Sequence, residues 1–580
     1  MNDDVAVPDD ASLPHPKDVA GGGLATVLPP LQWLPRYEAA WLASDLVAGV
    51  TLAAYAIPVS LAYATLAGLP PYYGIYCYLV GGVAYAIFGT SRQLAVGPTS
   101  AIAMLVGTTV AGMAEGDPAR WAGIAALTAL VVAALSGVAW IFRLSGLVSF
   151  ISQTILTGFK AGAALTIALT QLPKLFGVPG GGDNFFERAW ILATQLGQTN
   201  LVVLALGVAA LGLLIIGDKF LPGRPVALVV VALTICIVSL AGLVDHGVSV
   251  VGTLPPGLPA FSWPSLRLRD VDGVIPLAAA CFLLAYVEGV SAARTLADKH
   301  GYKINPRQEL LALGAANLSA AFFQGFPVAG GLSQSSVNDK AGARTPLALV
   351  FASAAIGICL LFFTGLLHNL PNVVLAAIVL VAVRGLFDVA ALRHLWRVSR
   401  IEFSIAMVAL LGVLLLGILK GVLVAVIVSL LMLLATAARP NVAFLGRIPG
   451  SRRYSDLERH PDNENVPGVL IFRVEASLLY FNVDHVRNIV WARIALADSL
   501  RLVVCDLSNS PYVDVAGAAF LAALHKELAA RRIDFRIAEA HARTRDLLRA
   551  EELEDQVGYF GRHMSVDQAI RESTHTDHAT

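Results

Sequence analysis

The chain contains the stretch Phe326-Pro-Val-Ala-Gly-Gly-Leu-Ser-Gln-Ser-Ser336 inside a long apolar region, where an unbroken helix would be expected. Pro327 fixes its own φ and removes a backbone donor, and the pair Gly330-Gly331 loosens the backbone. The polar residues that follow, Ser333 to Ser336, offer no apolar face to lipid. Bilayer hydrocarbon tolerates broken backbone only where protein or a water-filled cavity covers it. The stretch therefore predicts a short half-helix buried within a polytopic membrane protein.

An earlier stretch, Gln93-Leu-Ala-Val-Gly-Pro-Thr-Ser-Ala-Ile102, repeats this pattern, with a Gly-Pro break before small hydroxyl residues. Two breaks at corresponding places are typical of transporters in which the N-termini of two half-helices meet near the bilayer midplane. Free N–H groups and positive dipole ends at such a meeting point favour an anion. The alternative is a pair of kinks that only close packing gaps. The hydroxyl residues clustered after both breaks favour the anion site.

The composition places the chain among membrane proteins. Of its 580 residues, 56% are hydrophobic and only 14% are charged, and the mean hydropathy is +0.69. The formal net charge of +0 argues against nucleic acid as a partner. The histidines and cysteines lack the spacing of metal ligands, and the sequence shows no nucleophile–base set. We therefore predict no metal, no cofactor and no enzymatic activity.

The apolar part of the chain is organised in two halves. Residues 1–30 are rich in Asp, Pro and Gly, so we expect a disordered tail without a signal peptide. Residues 31–440 form the predicted membrane domain, with two sets of seven apolar segments and about fourteen spans. The broken segments, Pro98–Ala114 and Gly331–Asp339, are third in each set. Because seven is odd, the two sets are inverted with respect to each other.

Basic residues predict the orientation of the chain. They concentrate in alternate connections, whereas acids such as Glu115 and Asp117 occur in the others. The positive-inside rule then places both termini in the cytoplasm, and we expect a multi-pass protein of the cell inner (plasma) membrane. Asp45 is expected at the N-terminal end of the first span, where an acid suits the helix dipole.

The character of the sequence changes after Pro440. We predict a linker over residues 441–466, a soluble domain over 467–572 and a tail over 573–580. Within the domain, strands are predicted at Val469–Val474, Leu502–Cys505 and Phe535–Ala538, and helices at Asn482–Ala497 and Val515–Arg531. Asp514 is placed to cap the second helix. This alternation predicts a small α/β domain.

These features together resemble the sulfate permease (SulP) family of anion transporters, whose members end in a cytoplasmic STAS domain. The motifs that carry the resemblance are Ala62-Tyr-Ala-Thr-Leu-Ala-Gly-Leu-Pro-Pro-Tyr-Tyr-Gly-Ile-Tyr76, Gly89-Thr-Ser-Arg-Gln-Leu-Ala-Val-Gly-Pro98, Glu288-Gly289, Ser333 to Arg344 and, in the soluble domain, Asp506 to Gly517. The family implies an α-helical polytopic fold with about fourteen spans in a 7+7 inverted repeat, divided into core and gate bundles. A C-terminal α/β STAS domain and a homodimer are also implied.

The resemblance also implies where the anion binds, namely between the third and tenth spans and lined by the first. The matching positions in this chain are Tyr63, Thr99, Ser100, Ala101, Ser333, Gln334 and Ser335. Many family members carry an arginine where this chain has Gln334. Without that charge, the two helix dipoles, each worth about half a charge, become the main attraction.

Glu288 is the most informative ionisable residue. It lies inside an apolar span, where an acidic group costs about 2.5–3.5 kcal/mol on insertion scales. We expect it to carry a coupling proton. A Na⁺ ligand is the competing functional role, and a structural carboxyl that caps a broken helix is the third possibility. Lys160 is interpreted as a lysine that extends toward the headgroups, without a role in the site.

The predicted function is secondary active transport, in which sulfate or a similar small anion enters the cell with protons. Sodium-coupled uptake of bicarbonate or a C4-dicarboxylate is the alternative nearest to it. A passive anion channel, or a membrane sensor that signals through its STAS domain, would belong to a different class. The predicted partners are a small inorganic anion with H⁺ or Na⁺, the lipid bilayer and a second copy of the chain.

Overall fold

The computed structural model describes residues 27–146, 153–182, 184–221, 225–264, 268–497 and 499–576. The chain divides into two compact units, with the boundary between Ser429 and Leu430. Most of the predicted N-terminal tail lies outside the described residues. Of the predicted C-terminal tail, residues 573–576 belong to a helix.

The first unit is almost entirely helical, as a bilayer requires, because a helix satisfies its backbone hydrogen bonds internally. Its elements are α1 (Pro30–Trp33), α2 (Ala39–Leu66), α3 (Tyr72–Phe88), β1 (Val96–Gly97), α4 (Ser100–Ala114), α5 (Pro118–Ile141), α6 (Gln153–Phe176), α7 (Phe185–Gln195), α8 (Leu201–Phe220), α9 (Val226–Ala241), α10 (Leu268–Lys299), α11 (Pro306–Phe322), β2 (Ala329–Gly330), α12 (Leu332–Lys340), α13 (Leu347–Phe362), α14 (Asn372–Arg384), α15 (Val389–Val398) and α16 (Arg400–Leu416). A further helix, α17 (Ile418–Ala438), crosses the boundary between the units.

The hydropathy of these helices is that of a multi-pass membrane protein. Among the described residues, six helices are long and apolar enough to cross a membrane, and four shorter apolar helices of 10–17 residues accompany them. Each of the fourteen apolar segments predicted from the sequence contains a helix. The number of spans itself stays a prediction.

Helix packing separates the first unit into two bundles. One contains α2 to α5 and α10 to α13, and the other contains α6 to α9 and α14 to α16. Glycines let α6 and α16 approach closely: a Cβ added to Gly158 would lie 1.9 Å from the carbonyl oxygen of Ala406, and one added to Gly162 would lie 2.8 Å from that of Leu410. Small residues commonly permit such contacts between membrane helices.

Asp45 does not begin the first span as expected. The helix α2 starts earlier, at Ala39, and Asp45 lies within it, fully buried. Its carboxylate accepts hydrogen bonds from the Arg344 and Thr345 backbone N–H groups, at 2.7 and 3.0 Å, and from the Thr345 hydroxyl at 2.6 Å. The expectation was wrong because these donors are remote in sequence. Asp45 therefore fixes the turn that leads into α13.

The second unit is an α/β domain. Its elements are β3 (Val442–Arg447), β4 (Tyr454–Asp456), β5 (Val469–Val474), α18 (Val483–Ala495), β6 (Leu502–Asp506), α19 (Val515–Ala529), β7 (Asp534–Ala538), α20 (Ala542–Ala550), α21 (Leu553–Val557) and α22 (Val566–Thr576). The sheet order is β4-β3-β5-β6-β7; β5, β6 and β7 are parallel, and β3 runs antiparallel to β5. The predicted strands and helices are all present, and Asp514 caps α19 through a 2.8 Å bond from the Gly517 N–H.

The segment 441–466, predicted as a linker, instead contributes β3 and β4 to this sheet. Residues of β3 point alternately to the two sides, since Val442 packs in one apolar cluster of the unit and Ala443 and Leu445 pack in another. The partner that makes this short run a strand is β5, which follows it in the chain. Local sequence alone does not reveal that pairing.

We predict that Gly158→Ala destabilises the first unit. The added Cβ would overlap the Ala406 carbonyl and push α6 away from α16, at a cost of about 1–3 kcal/mol for an overpacked contact. The melting temperature in detergent, followed by size-exclusion chromatography after heating, should fall by several degrees. Gly212→Ala in α8 is the control, because its Cβ would meet no described atom within 4 Å. Equal melting of the two variants would contradict the prediction.

Candidate functional site

The two broken segments lie side by side in the fold. The strands β1 and β2 pair antiparallel, with Val96 opposite Gly330 and Gly97 opposite Ala329. Helix α4 starts three residues after β1, at Ser100, and α12 starts after β2 at Leu332. The starts of two half-helices from opposite halves of the chain are therefore brought to one place, as the sequence predicts.

Gln334 ties this strand pair together. Its side-chain amide donates to the carbonyl oxygens of Ala95 (2.9 Å) and Ala329 (3.2 Å), one on each broken segment, and its oxygen accepts from the Tyr78 hydroxyl. Both donor hydrogens and the acceptor oxygen are thus used inside the protein, and the side chain is buried. These bonds place Gln334 in the scaffold beneath the helix starts.

Ser335 and Asn317 complete this scaffold. The Ser335 hydroxyl accepts from the Ala95 N–H at 2.8 Å and donates to the Gly331 carbonyl at 2.7 Å. The Asn317 side chain, on α11, accepts a hydrogen bond from the Val328 N–H and donates one to the Val328 carbonyl oxygen, both at 3.0 Å. Sequence reasoning missed Asn317, although a lone amide inside an apolar helix was a signal that could have revealed it.

Thr99 and Ser333 differ from these tied residues. Thr99 is the N-cap of α4 in extended conformation, and its side chain does not cap the helix. Its hydroxyl oxygen is buried and has no hydrogen-bond partner among the described residues. Ser333, in the first turn of α12, is exposed. A buried hydroxyl without a partner is costly, so the Thr99 hydroxyl is suited to a ligand.

Backbone N–H groups around these two residues are also unused within their helices. The first main-chain bonds that close the two helices run from Ala103 to Thr99 and from Ser335 to Gly331. The N–H groups of the three residues before each donor therefore have no acceptor in their own helix. In α4 these three include Ser100 and Ala101, two of the predicted binding positions.

Tyr63 and Glu288 approach the site from two other helices. The Tyr63 side chain, on α2, is hydrogen-bonded to that of Ser100, and the charge of Glu288 acts on it. Glu288 lies on α10, whose next residue, Gly289, packs against Gly330 of β2; a Cβ added to Gly330 would be 3.1 Å from the Gly289 Cα. The two helices thus place the Tyr63 phenol beside the start of α4, and Glu288 one residue from the glycine that contacts β2.

Lys160 was interpreted as a lysine without a site role; in the structure it lies near enough to Glu288 for the two charges to interact. It is half-buried on α6. Gly158 and Gly162, two residues to either side, face α16. With about 100° between successive residues of a helix, Lys160 points to the opposite side of α6. Sequence reasoning missed this because a lysine near the end of a span is adequately explained by its contact with headgroups.

Family comparisons agree with the predicted organisation. The sulfate permease family matches residues 42–409, and the STAS domain matches residues 460–569. A probable sulfate transporter of Mycobacterium tuberculosis is 33% identical over 540 residues, which cover 92% of this chain and 96% of that protein. Sulfate transporter 3.1 of Arabidopsis thaliana is 30% identical over 581 residues, which cover 96% and 88%.

Two solved structures show the same fold. The inward-facing structure of the murine Slc26a9 anion transporter superposes with a TM-score of 0.87 at 22% identity and covers 95% of this chain and 94% of its own. The transmembrane domain of a cyanobacterial bicarbonate transporter, BicA, gives a TM-score of 0.59 at 22% identity and covers 68% and 98%. The predicted fold class, a polytopic helical domain followed by an α/β STAS domain, is confirmed.

We predict that Gln334→Leu destabilises the strand pair. The leucine removes two donors and one acceptor, so that buried groups on Tyr78, Ala95 and Ala329 lose a partner, at roughly 1–3 kcal/mol for each group left unpaired. The melting temperature of the purified Gln334→Leu protein should fall by much more than that of Ser333→Ala, which changes an exposed residue one position away and serves as the control. A Gln334→Leu protein that melts like the wild type would show that these bonds are not needed.

Proposed function

The chain belongs to the sulfate permease family, and from this membership we propose that it transports a small inorganic anion, with sulfate as the first candidate. The observation that carries the proposal is the meeting of the α4 and α12 starts at the β1–β2 pair. There the first N–H groups have no acceptor within their own helix, and the Thr99 hydroxyl has no hydrogen-bond partner among the described residues. The sulfate transporters among its relatives support sulfate.

The charges around the site favour a dianion. Each helix start contributes about half a positive charge, so the two together contribute about one. We propose that Lys160 adds the second, in place of the arginine that other members carry at the position of Gln334. Together these charges balance a sulfate dianion only while Glu288 is neutral. Burial of an unbalanced charge is costly, so protonation of Glu288 and entry of the dianion favour each other.

This coupling makes proton symport our proposed mechanism. The anion binds when Glu288 carries a proton, the two bundles shift relative to each other around the site, and both the anion and the proton leave on the other side. A Na⁺ ion bound to an ionised Glu288 would give the same net charge as a protonated Glu288. We propose the proton as the coupling ion because it needs no ligand besides the Glu288 carboxyl, whereas Na⁺ needs several oxygen ligands.

We propose that the protein lies in the cell inner membrane with both termini cytoplasmic, on the evidence of its basic connections. A homodimer is proposed from the family resemblance. For the domain boundaries, we propose a membrane domain over residues 31–440 and a STAS domain that starts with β3 at Val442 and ends near residue 572. The STAS domain has its own apolar clusters, and all proposed site residues precede it.

Transport by purified protein in liposomes tests the function directly. Radiolabelled sulfate uptake should be concentrative under an inward proton gradient and abolished by an uncoupler. If another anion is the true substrate, then bicarbonate, chloride, oxalate or fumarate should compete with sulfate for uptake. Ser333→Leu should abolish uptake, because the leucine fills the space between the helix starts, while the exposed position leaves the melting temperature unchanged. Full uptake by a folded Ser333→Leu protein would contradict the site, and uptake that persists without a gradient would indicate a channel.

A second prediction concerns the Thr99 hydroxyl. Thr99→Val keeps the shape of the side chain but removes its hydroxyl, and the apparent KM for sulfate should rise about tenfold, the equivalent of one lost hydrogen bond to a charged ligand. Thr128→Val is the matched control, because the Thr128 hydroxyl already donates to the Ile124 carbonyl at 2.8 Å within α5. An unchanged KM in Thr99→Val, measured as initial rates over a range of sulfate concentrations, would place the anion elsewhere.

The third prediction concerns coupling. Sulfate uptake should rise as external pH falls, because more of the protein then has Glu288 protonated. Glu288→Gln mimics the neutral carboxyl, so exchange of sulfate for sulfate should persist at all pH values, while proton-driven accumulation is lost. A Glu288→Gln protein that keeps its pH dependence but loses a Na⁺ requirement would make sodium the coupling ion.

Lys160 provides the charge control for the same assay. Lys160→Met should weaken sulfate binding about tenfold or more, and Lys160→Arg should restore most of it. Competition by monovalent anions should become stronger relative to sulfate in Lys160→Met, because the site has lost a full positive charge. Equal sulfate affinity in both variants would show that Lys160 only anchors α6.

A further inference from the structure

Helix α15 (Val389–Val398) is a short polar helix between two apolar ones. The helices on either side, α14 and α16, have the composition of membrane segments, whereas α15 carries Arg393, His394 and Arg397. Charged side chains are costly inside hydrocarbon, so a helix of this kind lies where the chain reaches the surface of the bilayer. The residues proposed to bind the transported anion all lie on other elements.

One face of α15 is fixed to the rest of the first unit. Leu392 packs in an apolar cluster with Ala161 of α6 and Leu410 of α16. At the start of the helix, the Asp388 side chain accepts a hydrogen bond from the Ala391 N–H at 2.9 Å and so caps it. Because of these contacts, α15 belongs to the bundle that contains α6 and α16.

The opposite face of α15 is basic and exposed. With about 100° between successive residues of a helix, Arg393, His394 and Arg397 fall within one sector, on the side away from Leu392. All three residues are exposed. The described residues give Arg393 and Arg397 no ion pair and no side-chain hydrogen bond. Both guanidinium groups are therefore available to a partner outside the chain.

The acidic residues around α15 are too few to balance its charge. From Arg384 to Glu402 the chain has four arginines and two acidic residues, a net charge of +2 with His394 neutral. Of the two acids, Asp388 caps α15, and Glu402 accepts a hydrogen bond from the Thr154 hydroxyl at the start of α6. The excess of positive charge attracts an anionic surface.

Aromatic and aliphatic side chains border the basic face. The Arg400 guanidinium lies 3.7 Å from the centre of the Trp396 ring, and the Phe403 ring lies 4.8 Å from it on the other helix. Val398 and Ile401 are 70% and 69% exposed. Tryptophan is common at the level of lipid headgroups, and exposed apolar side chains beside arginines are typical of helices that lie in the interface. A partner that offers both negative charge and hydrocarbon fits this surface.

We propose that the outer face of α15 binds anionic phospholipids, whose headgroup phosphates contact Arg393 and Arg397. Guanidinium groups suit phosphate oxygens because they can form two parallel hydrogen bonds. Since α15 is fixed to α6 and α16, bound lipid holds their bundle at the bilayer surface while the bundle with the two broken segments moves. Anionic lipid therefore regulates the shift between the bundles, whichever anion is transported.

Native mass spectrometry of the full-length protein tests the proposal. Exposed to equal amounts of phosphatidylglycerol and phosphatidylcholine, the wild type should retain phosphatidylglycerol preferentially. An arginine near an anionic surface contributes about fivefold to affinity, so Arg393→Gln/Arg397→Gln should bind phosphatidylglycerol about 25-fold more weakly. Its binding of phosphatidylcholine should not change.

Two further variants serve as controls. Arg452→Gln/Arg453→Gln removes the same charge from exposed positions between β3 and β4 of the second unit, and it should retain phosphatidylglycerol like the wild type. Arg393→Lys/Arg397→Lys keeps the charge of α15 and should keep most of the binding. Neither this measurement nor its controls involve sulfate, so failure of this proposal is distinguishable from failure of the proposed transport function.

Fluorescence quenching in bilayers gives a readout that does not need the arginine variants. Phosphatidylglycerol brominated on its acyl chains should quench the tryptophan fluorescence of the wild type more than phosphatidylcholine brominated in the same way. The difference should shrink in Trp396→Phe, because Trp396 borders the basic face, and it should shrink at 1 M salt, where charges are screened beyond about 3 Å.

The proposal is wrong if Arg393→Gln/Arg397→Gln retains phosphatidylglycerol as well as the wild type and the control from the second unit do. That result would favour a second copy of the chain as the occupant of this face. A quenching difference of equal size in the wild type and in Trp396→Phe would also overturn the proposal, because the bound anionic lipid would then lie elsewhere.

Discussion

The antiparallel contact between β1 and β2 is the constraint on which the rest of the membrane unit depends. Each strand has only two residues, too few to be stable alone. Backbone that is not helical cannot face lipid, so the contact must lie inside protein and have its polar groups satisfied there. The helices around it, and the amides of Gln334 and Asn317 within it, meet that requirement.

Once that contact is formed, the chemistry of the site follows from what it leaves unsatisfied. The hydrogen-bonding groups of Gln334 are all used within the scaffold. By contrast, the Thr99 hydroxyl has no partner among the described residues, and the first N–H groups of both helices have no acceptor in their own helix. In the proposed mechanism, backbone dipoles and Lys160 from the other bundle would together supply the positive potential. Because Lys160 and Glu288 belong to different bundles, a shift between the bundles would change the charge balance around the anion.

The far end of α12 is held by a contact of a different kind. Asp45, buried in α2, accepts hydrogen bonds from the backbone N–H groups of Arg344 and Thr345, just beyond α12. A carboxylate remote in sequence therefore fixes the turn by which the chain leaves the second broken segment.

The sequence by itself determined the class of the protein, its two broken segments and most of the soluble domain, because hydropathy, Pro-Gly breaks and alternating strands are local properties. It also pointed to Thr99, Ser333 and Glu288, whose polar character stands out in apolar surroundings. Only the tertiary structure decided that Gln334 and Ser335 serve the scaffold, that Lys160 lies near Glu288, and that the predicted linker forms strands. Each of these depends on a partner remote in the chain, and neither composition nor periodicity records which remote residues meet.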